Sequence, residues 1–230
     1  MRELLKTPGG VRPFLAASFQ SSIGNAIGYI ALLLLAYDMT RSAWAVSAVL
    51  LAEFIPAIAL GPLFGALADR YSRRRLVVMA DVLRCTAFVG LAFADSLSAL
   101  VALALVAGAG GALYQPAAKS ALPGLAGPHA DRAMAALVAS WSAAAMIGPG
   151  LGAGLLVFLS AADLMLVNAA TFLLSAMVLA RLPIDGPSSV AATEVATPDE
   201  AAGDSAGHGV RAGLQSLRGV PGLAVVIGAG

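Results

Sequence analysis

Glu53 is the one charged residue in an otherwise apolar run, residues 43–68. A carboxylate so placed must face a partner or a water-filled cavity, or carry a proton. Helical rise puts it about 15 Å from the start of that run, close to the midplane of a bilayer. A charge at that depth costs about 2.5–3.5 kcal/mol, so the position is either a substrate or proton site or one end of a structural hydrogen bond. Asn25 lies at a similar depth in the preceding run, with Gln20 nearer its start. Both can line a cavity or bond across helices. Asp81 and Arg84 are three residues apart, on one helical face, which favours a mutual or interhelical ion pair. Tyr114, Gln115, Ser140 and Trp141 add polar and aromatic surface. Such groups in an apolar cavity suit an amphipathic organic solute better than a bare ion.

Two other patterns have the letters of enzyme motifs without their setting. GDSAG, residues 203–207, matches G-x-S-x-G, but its flanks are linker rather than the strand and helix that expose a nucleophilic serine. GPGLGA, residues 148–153, matches a dinucleotide fingerprint, yet it sits inside a long apolar run and not in a βαβ unit. Cys85 has no second cysteine to pair with, and His129 and His208 fall in polar connectors. The expectation is therefore a protein without catalytic residues, metal or cofactor. A net charge of +1 gives no bulk attraction to nucleic acid.

The elements that hold these residues follow from composition. Of the 230 residues, 59% are hydrophobic and 12% charged, against about 25% charged in soluble domains. Mean hydropathy is +0.86. Six runs approach the 20 or so apolar residues of a membrane helix: 13–37, 43–68, 76–94, 97–118, 133–159 and 164–180. The predicted fold is thus an all-α polytopic membrane protein whose main partner is the lipid bilayer. The first run is too long for the core of a cleaved signal peptide and reads as a retained helix.

Orientation comes from the 14 Lys and Arg residues. With the N-terminus cytoplasmic, only Arg41 falls in an outer connector and Arg84 within a span; the opposite orientation would leave a single basic residue inside. Outer connectors are short, so consecutive helices should be antiparallel neighbours. The expected organisation is a cytoplasmic N-terminus at 1–12, a six-helix half at 13–181, a cytoplasmic linker at 182–219 and the start of a seventh helix at 220–230. The linker is rich in proline, serine and acids. Val210, Leu214 and Leu217 suggest a short amphipathic helix within it.

Small residues recur four apart at Gly24/Gly28, Gly61/Gly65, Ala107/Gly111, Gly148/Gly152 and Gly150/Gly154. In lipid such spacings let helices approach closely. They also leave a second reading open: a glycine-faced helix that bends or slides, with Pro149 freeing a carbonyl at mid-span.

With these residues in view, the chain resembles the major facilitator superfamily, and within it the bacterial efflux branch of macrolide and enterobactin exporters. GALADRYSRR, residues 65–74, is similar to the signature G-x-x-x-D-R-x-G-R-R between the second and third helices, with Ser72 in place of its second glycine. GPGLGAG, residues 148–154, is similar to the proline-glycine motif of the superfamily's antiporters. YQPAAKSALPGL after the fourth helix and LVNAATFLLSAMVLARLP in the sixth are similar to the efflux branch. The membrane arginine that many proton-coupled members carry in the fourth helix is absent; Ala104 stands there. That draws attention to Glu53 and Asp81 as proton-coupling candidates.

The resemblance implies two six-helix halves around a central cavity, each half built from inverted three-helix repeats. This chain would be the N-terminal half, needing the missing C-terminal half. It implies a conformational latch at Gly61, Gly65, Asp69, Arg70, Arg73 and Arg74. It also implies an antiporter-like hinge at Gly148, Pro149, Gly150, Gly152 and Gly154. The expected activity is export of a hydrophobic or amphipathic small molecule, of the drug or siderophore class, across the bacterial inner membrane. Alternating access, with protons as the coupling ion, would drive it. The competing readings are a non-transporting assembly or sensory protein on the same scaffold, and an inactive half-transporter.

Overall fold

Among the described residues, serine opens four of six α-helices. The computed structural model describes residues 10–184, apart from the side chain of Asp69. Within them run α1 (Val11–Thr40), α2 (Ala43–Arg70), α3 (Arg73–Ala92), α4 (Leu97–Ala126), α5 (Ala130–Leu155) and α6 (Ala161–Ala180). The expected linker beyond 184, its amphipathic helix and the seventh-helix start at 220–230 lie outside the described residues. Ser42, Ser72, Ser96 and Ser160 are the N-caps of α2, α3, α4 and α6, each accepting a backbone N–H of the first turn. A side-chain oxygen there satisfies a donor that has no partner inside the helix. Ser160 and Asp163 close a reciprocal capping box, with N–H···O distances of 3.1 and 3.0 Å. Ser72, the departure from the signature glycine, thus has a local task at the start of α3.

Helix ends differ from the hydropathic runs for identifiable reasons. α4 continues to Ala126, through Pro116 and Pro123, and takes in Lys119. Each proline forfeits one backbone bond without stopping the helix; Gly127, at φ 51°, ends it by returning its N–H to the Pro123 carbonyl. α5 stops at Leu155, short of residue 159, because the chain tightens there: the Phe158 N–H bonds Leu155 O at 2.9 Å. α1 ends with Arg41 in the left-handed region (φ 52°), its N–H on Tyr37 O and its side chain paired with Asp38 at 3.4 Å.

Four segments of the described residues are long and apolar enough to cross a membrane: Val11–Thr40, Ala43–Ala68, Leu97–Leu155 and Ala161–Ala180. The third contains both α4 and α5. α3 falls short by composition because it carries Arg73, Arg74, Arg75, Asp81 and Arg84. The protein is all-helical in its described part and passes the membrane several times.

Packing has a pattern the letters do not display. α2 lies chiefly along α4, and α5 along α1; α3 packs on α4, α6 on α1, and α3 and α6 on each other. Exchanging α1 with α4, α2 with α5 and α3 with α6 maps these pairings onto themselves. Two apolar clusters fill the bundle. One includes Phe14, Leu76, Val77, Leu122, Leu137 and Leu179 and extends to Leu182 and Ile184, residues that the sequence assigns to the linker. The other includes Leu32, Phe88, Leu91, Leu100, Met165 and Phe172. Between them, along α1, α3 and α6, lie the buried polar residues Ser18, Ser21, Asp81, Arg84 and Ser175.

Because lipid is as apolar as leucine, close contact must hold such helices together. Gly24 and Gly28 admit Asn168 and Thr171 of α6, and Gly148 and Gly152 admit Ala26 and Ile27 of α1. Gly61, Gly65, Gly150 and Gly154 behave differently: a Cβ on any of them would meet nothing within 4 Å. Those two small-residue pairs therefore do not pack helices among the described residues. At the fourth helix the close approach is made by Gly108, against the backbone of Glu53, while Gly111 stands open.

Candidate functional site

Four helices and one long side chain line a half-open cavity of about 560 Å³. α1 contributes Ser22 and Asn25; α2 contributes Glu53, Phe54, Ala57 and Gly61; α4 contributes Gly108, Gly111, Tyr114, Gln115 and Lys119; α5 contributes Trp141 and Ala145. From α3 only Arg84 reaches it. Residues on each helix recur every three or four positions, so one stripe of each faces inward. The volume lies within the usual span for small-molecule sites, about 300–1,000 Å³, and the lining mixes small apolar residues with a few polar groups.

Glu53 is half-buried on the cavity wall. Its Oε2 is shut off from solvent and has no hydrogen-bond partner. Lys119 sits with Nζ 5.7 Å from the centre of the Trp141 ring, a cation-π contact on the same wall. Behind the wall lies the charged seam. Arg84 is 8% exposed and Asp81 0%, and Arg84 Nη2 donates to Asp81 Oδ1. The guanidinium is stacked on two rings, 4.4 Å from the centre of Tyr114 and 4.2 Å from that of Phe172. The Tyr114 hydroxyl bonds Ser18 Oγ at 2.8 Å. Among the described residues, Asp81 Oδ2 and Arg84 Nε have no hydrogen-bond partner, and Ser175 Oγ faces Asp81. One buried ion pair thus ties α3 to α4, α6 and, through Tyr114, α1.

Of the residues singled out in the sequence, Asn25, Glu53, Arg84, Tyr114, Gln115 and Trp141 meet at this cavity. Asp81 does not reach it and lies behind Arg84. Gln20 lies in a separate shallow groove beside Pro13, Leu174 and Val178. In the signature stretch, Gly61 lines the cavity, Gly65 is open, and Arg70 is exposed at the end of α2. Arg73 and Arg74 begin α3, and the Asp69 side chain lies outside the described residues. Pro149 lies inside a continuous α5, with Gly148 and Gly152 toward α1 and Gly150 and Gly154 toward open space.

The sequence reading missed Ser22, Phe54, Lys119 and the ring of Phe172. Lys119 was within reach: Gly111, Gln115 and Lys119 are spaced by four, so a face assignment for one carries the others. Phe172 carried no such signal, because its contact crosses from α6 to α3.

A family model described as Major Facilitator Superfamily matches residues 14–230. The chain is 30% identical, over 223 residues, to the uncharacterized MFS-type transporter YfiS of Bacillus subtilis (strain 168), covering 96% of this chain and 52% of that protein. It is 30% identical over 149 residues to the multidrug resistance protein MdtH of Aeromonas hydrophila subsp. hydrophila, covering 64% of this chain and 34% of that one. To the multidrug efflux pump Tap of Mycolicibacterium fortuitum it is 28% identical over 184 residues, covering 75% and 45%. The chain spans about half the length, or less, of these curated relatives. An all-helical bundle with a half-open cavity and this match over most of its length leads to one assignment: the chain belongs to the Major Facilitator Superfamily, a family of membrane transporters.

Proposed function

We propose that the chain forms the N-terminal half of a secondary active exporter in a bacterial inner membrane, working by alternating access against a second six-helix half. The observation that carries this is the cavity of about 560 Å³ lined by α1, α2, α4 and α5, with Glu53 as its one carboxylate. Trp141, Phe54 and Tyr114 beside Asn25 and Gln115 suit a hydrophobic or amphipathic small molecule. Multidrug resistance in the name of one relative and multidrug efflux in that of another support drugs as the cargo class; siderophores and macrolides are organic solutes of comparable character.

All six helices cross the membrane in this reading, α3 included. Its inner charges Asp81 and Arg84 neutralise each other inside the bundle, and Arg73, Arg74 and Arg75 stay at its cytoplasmic end. The N-terminus is cytoplasmic, and the latch and hinge motifs act on that side and at mid-span of α5 respectively. Protons drive the cycle as antiport, with Glu53 as the coupling group.

Glu53→Gln keeps the shape of the side chain and removes its proton chemistry. It should abolish gradient-dependent efflux of a lipophilic aromatic cation such as ethidium while leaving the amount of membrane-inserted protein unchanged. Efflux at the unaltered rate would rule out Glu53 as the coupling group. Absence of any transport by the unaltered protein would favour a non-transporting scaffold.

A further inference from the structure

Arg84 Nε and Glu53 Oε2 are a donor and an acceptor, each closed off from solvent and each without a hydrogen-bond partner. Buried polar groups in native structures are nearly always satisfied, so two complementary orphans beside one cavity call for a physical reason. Both side chains line that cavity. α4 packs against both of their helices, and over residues 107–112 it reads Ala-Gly-Ala-Gly-Gly-Ala. Gly108 lies against the Glu53 backbone, Gly110 against the Arg84 stem, and a Cβ on Gly111 would meet nothing within 4 Å. No side chain larger than a methyl group on that stretch blocks the way.

We propose that Arg84 is a two-position cation, held by Asp81 in the state described here and drawn to Glu53 in a second state once the Glu53 proton has left. The inference rests on the transporter reading and names the positioning residue that turns proton occupancy into a change of packing. The exchange needs no covalent step. The proton departs from the Glu53 carboxyl, the carboxylate formed accepts an N–H bond from the guanidinium, and Asp81 gives up that bond. Ser175 Oγ, facing Asp81, is at hand to donate to the carboxylate left behind.

The move has mechanical consequences because the guanidinium is stacked on Tyr114 of α4 and Phe172 of α6, and Tyr114 is bonded to Ser18 of α1. Leaving that slot loosens three helices at once. Other groups do not compete for the role. On the helices packed against α2, the titratable and charged residues around this site are Tyr29 of α1, Tyr114 and Lys119 of α4, and Asp81, Arg84 and Cys85 of α3. Lys119 lies over Trp141, and the two phenols and the thiol cannot supply a positive charge.

The test is a pair-removal series in the protein as expressed in membranes: Arg84→Gln, Asp81→Asn and both together, read by membrane protein level and by ethidium efflux from energised cells. Each single change leaves an uncompensated buried charge and should lower the level of folded protein, whereas removing both restores it. The proposal expects the double variant to regain folded protein yet remain at the efflux of cells lacking the transporter. Efflux that recovers together with folded protein would reduce the pair to a structural tie and overturn the proposal. No gradient-dependent efflux by the unaltered protein, measured in the same assay, would overturn the transporter reading itself and this inference with it.

Discussion

Gly108 decides how close α2 comes to α4. A methyl group there would collide with the Glu53 backbone, whereas one at Gly111, three residues on, meets open space. Gly108→Ala should therefore push the two helices apart and cost about 1–3 kcal/mol, the usual range for overpacking. Gly111→Ala should leave stability unchanged or raise it, since alanine is the better helix former by about 1 kcal/mol. Thermal unfolding in detergent checks both, and equal effects would mean that Gly108 is not a contact point. The residue scale is also where sequence reading succeeded unevenly. Glu53 announces itself as a lone charge among apolar neighbours, but Gly108 looks like any other glycine in a run of small residues. Which glycine touches a neighbour depends on helix rotation, and α4 is too uniformly apolar to fix its own rotation from the letters.

Among the described residues the helices follow the order of the apolar runs, but their ends depart from them. Hydropathy finds the middle of a span, while caps and prolines decide the boundary, and α4 continues past the residue where the apolar run gives out. α3 departs furthest from a local rule. Three arginines occupy its first turn, where the positive end of the helix dipole disfavours cations. Ser72 supplies the cap that such a start needs, and in the proposed orientation these bases stay on the cytoplasmic side. Asp69, at the end of α2 and four residues before Arg73, is the acid set among them. If this stretch is a latch, Asp69→Asn should impair ethidium efflux far more than membrane insertion, judged by protein level in isolated membranes. A parallel fall in both would make the stretch a topology signal only.

At the scale of the whole molecule, large apolar side chains remain uncovered on α2 and α5: Trp44, Leu51 and Ile58 on the first, Met146 and Leu151 on the second. Such faces suit lipid or another helical half, and the cavity lies between the two helices that carry them. Gly61 lines that cavity, with nothing close to it. In a background in which Cys85, the one cysteine, is replaced by alanine, G61C should react with a membrane-impermeant maleimide, and bound ethidium should slow the reaction severalfold. Labelling that is indifferent to ethidium would place the cargo elsewhere.

The exchange of α1–α3 with α4–α6 that preserves the packing does not preserve the charges. α3 buries Asp81 and Arg84, while its counterpart α6 buries Asn168 and Ser175. In the proposed alternating cycle, a scaffold twofold alike in both respects would have two tilted states of equal energy. An ion pair buried in α3 with no counterpart in α6 lifts that degeneracy, so it sets which of the two states is the more populated at rest.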